Sequence, residues 1–255
     1  GKKYGFELFQ SFDPIGGEIW QPSVDNRVVD LVIRPTGLLD PVIEIKPMEF
    51  MVDDIMEQID YVISKNERLL VTTITKRSSE ELCDYLLWNG VKVRYLHSEI
   101  ETLERLEILR DLRMGKIDVI VWVNLLREWL DLPEVSRICI LDAEKQGFLR
   151  SEPSLIQIIG RAARNSDGKV TMYTEKLKKE KEKIENNEKS MIELWNFEKH
   201  EIIRIDKGKW LMENGQVISE SMKKAIHLTY YRRKLQNEYN IKNWIDPTTV
   251  ISSIK

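Results

Sequence analysis

Ser154-Leu155-Ile156-Gln157-Ile158-Ile159-Gly160-Arg161-Ala162-Ala163-Arg164-Asn165 reads as a helix with two arginines three positions apart. Residues at that spacing are neighbours on a helix surface, so the two guanidiniums are expected on one face, projecting from the surface. Arginine carries permanent charge on a planar fork of donors that matches phosphate oxygens, and two such forks can be aimed at one polyphosphate. Taken alone, R-x-x-R is common on exposed, solvated helices. Its meaning depends on what surrounds it.

Working outward, short apolar runs alternate with amphipathic segments from 47 to 173, the pattern of βαβ units on a parallel sheet with helices on both faces. Strands are expected over 68–72, 91–95, 117–123, 137–141 and 169–173. Between them, Ser78 with Glu81 and Ser98 with Glu101 have the spacing of capping boxes, and Gly90 and Gly115 follow as stop signals. Ile100, Leu103, Leu106 and Leu109 are expected to line one helical face, with Ile108 and Leu112 beside it. Thr72, Thr73, His97, Ser98 and Asn124 fall at the ends of these strands, where an open α/β sheet places its binding loops. Hydroxyls, amides and backbone N–H groups there can grip phosphates without reading bases. His97 is equally compatible with a packed structural histidine.

The rest of the chain is organised differently. Residues 1–46 are irregular, with Pro14, Gly16, Gly17 and Pro22. Residues 174–216 form a charged insertion: 175–190 alternates lysine with glutamate, the pattern of a solvated helix or flexible arm. Behind it, Ile202-Ile203-Arg204-Ile205 and Lys209-Trp210-Leu211-Met212 flank Asp206-Lys207-Gly208 as a hairpin. Residues 217–255 begin a helix through Met222, Ala225, Ile226 and Thr229 that carries the basic triplet Arg232-Arg233-Lys234, open to either a phosphate contact or a structural pairing.

Composition sets bounds. The chain has 255 residues, 42% hydrophobic and 32% charged, ordinary for a globular protein. A net charge of −3 means that any nucleic-acid contact must come from a local basic surface. Cys83 and Cys139 stand singly in apolar segments, without metal-ligand spacing or a disulfide framework, as in a reduced, cytoplasmic protein. No run approaches the ~18 apolar residues needed to span a bilayer. The first residues, Gly1-Lys2-Lys3-Tyr4, carry neither a signal region nor an initiator methionine, so an internal fragment is expected. There is no G-x-x-x-x-G-K-[ST] phosphate loop.

Asn124-Leu125-Leu126-Arg127-Glu128-Trp129-Leu130-Asp131 and the arginine helix together resemble motifs V and VI of superfamily 2 helicases. Further segments narrow the match: Arg34-Pro35-Thr36-Gly37-Leu38-Leu39-Asp40-Pro41, Tyr95-Leu96-His97-Ser98-Glu99 and Asp142-Ala143-Glu144-Lys145-Gln146-Gly147-Phe148-Leu149-Arg150-Ser151. The chain is similar to the C-terminal helicase half of the UvrB family over roughly 27–173, and again over 217–251. The resemblance implies an α/β, RecA-like second helicase lobe of P-loop NTPase type. It implies that Arg161 and Arg164 complete an ATP site, with Asp131, Gln157 and Gly160 near the nucleotide, and that Thr72, Thr73, His97, Ser98 and Asn124 meet DNA. ATP with Mg2+ would be held mostly by an N-terminal lobe of the same protein. Damaged DNA, UvrA and UvrC would be the partners, with no membrane. Asp131 by itself is equally a helix or turn cap. Two rivals stand beside this reading: a stand-alone nucleic-acid-binding or protein-interaction module, and a translocase outside repair.

Trp122, Trp129 and Trp244 stand where the resemblance leads one to expect glycine. Tryptophan is the poorest substitute where backbone must approach a neighbour or take positive φ. Either the gene uses UGA for glycine and was read under a table giving tryptophan, or motif V has drifted. Under the first reading at least two of the three should sit exposed or crowded, with Trp129 beside the arginine face.

Overall fold

A computed structural model describes residues 33–97, 99–123, 132–177, 188–194, 198–206 and 208–249. Six parallel strands, β1 (Val42–Pro47), β2 (Arg68–Thr73), β3 (Val93–Leu96), β4 (Val119–Val123), β5 (Val135–Ile140) and β6 (Lys169–Thr174), form one sheet in the order β1-β6-β5-β2-β4-β3. Every residue of β2, β4 and β5 is buried, which is why these strands read as nearly continuous apolar runs rather than as alternation. Successive side chains still take opposite faces. Leu69 and Val71 pack with Ile55, Ile59, Leu82 and Leu86 of α1 (Met51–Ser64) and α2 (Lys76–Trp88). Leu70, Ile120 and Ile138 pack on the other side with α3 (Thr102–Arg113), α4 (Glu152–Ala162) and α5 (Glu220–Asn243).

Five strands lie close to the expected places, and Gly90 and Gly115 adopt the left-handed conformations of helix stops, with φ of 79° and 75°. The differences are instructive. β1 extends the sheet into 42–47, most of which the sequence pattern left in the irregular segment; its alternating Glu44 and Lys46 hid a strand that pairs on one side only, with β6. The cap of α2 is Thr75, whose hydroxyl accepts from the Ser78 amide at 3.0 Å, not Ser78 itself. On α3 only Ile108 and Leu112 are buried, while Leu103 and Leu106 are 79% and 59% exposed. An i, i+3 ladder fixes a stripe but not how much of it meets the sheet, and here only the second half of the helix does.

The segment 189–219 folds as a second, antiparallel sheet, β7 (Lys189–Leu194), β8 (Glu198–Asp206), β9 (Lys209–Met212) and β10 (Val217–Ser219), in the order β10-β9-β8-β7. The hairpin expected around residues 206–208 is the β8–β9 pair, and β7 begins within the stretch expected as a helix or arm, of which 178–187 lies outside the described residues. Trp210 fastens this sheet to α5. Its indole N–H donates to Glu220 at 2.7 Å, and the Lys223 ammonium lies 3.8 Å from the ring centroid. Burial lowers the pKa of Lys223, in keeping with its place under the ring.

The block from Arg34 to Asp40 serves this docking too. Gln236 of α5 accepts from the Arg34 amide at 2.6 Å and donates to its carbonyl at 3.2 Å, and Asn240 donates to the Gly37 carbonyl at 2.6 Å. Gly37 has φ 71°, and a Cβ there would lie 2.6 Å from Ile245 Cγ2. Arg233, the middle residue of the basic triplet, donates to the Asp40 carbonyl, so that residue takes the structural option.

Candidate functional site

Because all six strands run in parallel, the loops leaving their C-terminal ends gather along one edge of the sheet. Thr72 and Thr73 end β2, and His97 follows β3, as expected. Their side chains, however, turn inward. Both threonines and the histidine are buried, Thr73 donates to the Thr75 carbonyl at 3.2 Å, and His97 Nδ1 accepts from the Glu99 amide at 3.2 Å while its ring stacks on Tyr95. What the described residues expose here is Glu99 after β3 and Thr75 and Arg77 at the start of α2. Ser98, Asn124, Asp131 and Trp129 lie outside the described residues.

The loop from β5 to α4 closes the middle of the edge. Arg150, buried, sends its guanidinium to the carbonyls of Leu141 at 2.8 Å and Thr72 at 3.1 Å, stitching the ends of β5 and β2 together. Burial pushes its pKa down to about 10, opposed by Asp142 and Glu144 nearby. Nothing in the local sequence marks this arginine out: the segment also carries Lys145, and only the fold shows that Arg150 is the buried one of the two.

On α4 the expectation of two surface arginines on one helical face needs correction. The helix ends at Ala162, so Arg164 lies in the turn beyond it and is exposed, whereas Arg161 is half-buried with its guanidinium 5.1 Å from the ring centroid of Trp122. Desolvation lowers the pKa of Arg161. The apolar periodicity continued past the point where the Ala162-Ala163 pair lets the chain turn. Gln157 and Gly160 are exposed on the helix, and a Cβ at Gly160 would meet nothing. Trp122 itself is 3% exposed and belongs to the core, against the expectation for a misplaced tryptophan, while Trp244 is 95% exposed.

Among the described residues no group of three His, Cys, Asp or Glu side chains could hold a metal ion, and no helix is long and apolar enough to cross a membrane. Both cysteines are buried thiols with raised pKa, about 11 for Cys83 and about 12 for Cys139, with burial the leading cause. They are not poised for chemistry.

A family model described as helicase conserved C-terminal domain matches residues 52–166, from α1 through the turn that follows α4. A second, described as ultra-violet resistance protein B, matches residues 215–255, which contain α5. The chain is 60% identical over 230 residues to UvrABC system protein B of Bacillus subtilis, covering 90% of this chain and 29% of that protein. It is 47% identical over 228 residues to the protein of the same name from Listeria monocytogenes, covering 89% of this chain and 28% of that one. The chain belongs to the UvrB family. It spans less than a third of the length of these UvrB relatives. Among solved structures it is similar to the C-terminal domain of Dbp5 from S. cerevisiae, at 22% identity and TM-score 0.43 over 53% of this chain and 75% of that one. Between the two matched segments of this UvrB-family chain lie residues 167–214, including most of the antiparallel sheet.

Proposed function

We propose that this chain is the second helicase lobe of a UvrB-type nucleotide excision repair protein, with residues 174–216 as an added module and α5 as the start of a C-terminal region. The observation that carries the reading is the match of the helicase C-terminal family to 52–166, the stretch holding both the loop-bearing edge and the arginine helix. Exposed Gln157 and Gly160 on α4, with Arg164 in the turn beyond it, support a face where a second lobe brings up a nucleotide. The open space around Gly160 suits close approach.

The donor set among the described residues fits polyphosphate: Arg161 and Arg164 supply cations, and Mg2+ would be held mostly by the N-terminal lobe of the same protein. Bound ATP supplies the phosphoryl group whose transfer drives the cycle. Here Arg161 and Arg164 would both turn to the phosphates, Arg161 leaving the Trp122 ring to do so. DNA would run along the C-terminal edge and be held through backbone groups and phosphates, irrespective of sequence. UvrA and UvrC would act with the intact protein, in the cytoplasm.

The test is to join the chain to the phosphate-loop lobe of a UvrB relative. Turnover of ATP is expected from the joined protein and not from residues 1–255 alone, and Arg161→Ala or Arg164→Ala should lower it by about 10³-fold, the scale of arginine fingers. Undiminished turnover in both variants, or robust turnover by 1–255 alone, would remove these arginines from the site.

A further inference from the structure

The loop from β5 to α4 is held at many points, and it carries at its crest a large apolar side chain with nothing to cover it. Asp142 takes a left-handed conformation, φ 51°, and pairs with Lys145 at 2.7 Å. The Ala143 amide donates to the Tyr173 carbonyl at 3.0 Å, and Arg150 ties the far end of the loop to Leu141 and Thr72. The Phe148 carbonyl accepts from two hydroxyls, Ser151 at 2.9 Å and Ser154 at 2.7 Å. On the side of the second sheet the β8–β9 turn closes against the loop, so that a Cβ at Gly208 would lie 3.3 Å from the Gln146 amide nitrogen. The Phe148 side chain is left 69% exposed.

We propose that Phe148 is a stacking platform for an unpaired nucleobase of a single strand lying along the C-terminal edge. This rests on the reading above that DNA follows that edge. A backbone fixed before binding loses little freedom on stacking, and a π-face accepts any base, which suits recognition without sequence preference. The surroundings favour nucleic acid over a protein surface. The exposed residues leading to the ring are Lys145, Gln146 and Gly147, whereas a protein-docking anchor sits in a contiguous apolar patch. Lys145 and Gln146 can meet a phosphate and a base edge on either side of the stacked base.

The experiment uses residues 1–255 with two fluorescent single strands of equal length, one bearing 2-aminopurine among ordinary bases and one largely abasic. Wild type is expected to bind both and to quench 2-aminopurine. Phe148→Leu should weaken the base-bearing strand about tenfold and abolish the quench, leave the abasic strand unchanged and unfold at the wild-type temperature. Phe148→Trp should restore both signals. Equal binding of the base-bearing strand by wild type and Phe148→Leu overturns the stacking role while leaving the edge as a phosphate site. Failure of wild type to bind either strand overturns the DNA reading and this proposal with it. If Phe148→Leu instead lowers ATP turnover of the joined two-lobe protein with strand affinity intact, the ring belongs to a lobe interface and the proposal falls.

Discussion

The two edges of the parallel sheet are built to opposite ends. At the N-terminal edge arginines act as staples. Arg68, 4% exposed, donates to the Leu112 carbonyl at 2.9 Å and the Glu67 carbonyl at 2.7 Å, and Arg137 holds Asp167 through its carboxylate at 3.0 Å and its carbonyl. Arg113 pairs with Glu134 at 3.0 Å, and Asn165 reaches Glu67. At the C-terminal edge one staple, Arg150, secures the centre, and exposed groups such as Lys145 and Phe148 stand on the loop that carries it. Arginine cohesion is spread along one edge by Arg68, Arg113 and Arg137 and concentrated in Arg150 at the other.

Between the two edges, the larger effect is therefore expected at the closed one. Arg68→Ala strands buried carbonyls at the ends of α3 and the turn before β2, and should cost about 3 kcal/mol in urea unfolding, the range for removing charged hydrogen bonds from a buried site. Phe148→Leu, on the open edge, should stay within about 0.5 kcal/mol, as exposed substitutions do. Comparable losses in the two variants would break the contrast between the edges.

A smaller effect should sharpen it. The β1–β6 end of the C-terminal edge is closed by a polar network: Lys46 and Tyr173 donate to Asp54, and Gln58 joins them, donating to Asp54 at 2.8 Å and to the Tyr173 oxygen at 3.0 Å. Burial alone would raise the Asp54 carboxyl, but hydrogen bonds from Lys46, Tyr173 and Gln58 outweigh it, and its pKa is lowered from the ordinary 3.8. A depressed carboxyl contributes stability above its unfolded pKa and loses that contribution as pH falls through the folded value. Asp54→Asn should thus cost about 1.5 kcal/mol near neutral pH. The gap to wild type should narrow in acid below the ordinary carboxylate range. A gap independent of pH would mean that Asp54 acts by packing and that this end of the edge is not closed by charge.

How far the sequence could be read follows the same division. Buried strands such as β2 and β5 announced themselves because burial on both faces forces apolar runs, and the arginine helix was found where it was expected. β1 did not, since Glu44 and Lys46 pair with Lys169 and Asp54 rather than with an apolar layer. Burial of Thr72, Thr73 and His97 was equally invisible, because a hydroxyl or imidazole at a strand end reads alike whether it faces solvent or its own loop. The segment Arg34 to Asp40 was legible as a motif but not as a job: Gln236 and Asn240, two hundred residues away in sequence, read its backbone. The half-burial of Arg161 against Trp122 depends on a contact between α4 and β4 that no local spacing encodes.

The smallest effect concerns Trp244, which follows α5 with φ 56° and ψ 42°, the left-handed conformation in which helices commonly place glycine. The Ile245 amide returns to the Asn240 carbonyl at 3.0 Å, so the turn is a helix stop and not a frayed end. A side chain in this conformation is strained by roughly 1–2 kcal/mol, and glycine gives back part of the gain through greater freedom in the unfolded chain. Trp244→Gly should therefore stabilise the protein by about 1 kcal/mol, and almost nothing offsets it because the indole is 95% exposed. Trp122→Gly should behave oppositely, opening a cavity in the core and costing several kcal/mol as large-to-small core substitutions do. The coding sequence separates the two origins of these residues. UGA at both positions would make glycine the residue of the working protein and Trp122 an artefact of reading; UGG at both would leave Trp244 as tolerated strain and Trp122 as the partner of Arg161. If Trp244→Gly lowers the melting temperature, neither the strain nor the recoding argument survives at that position.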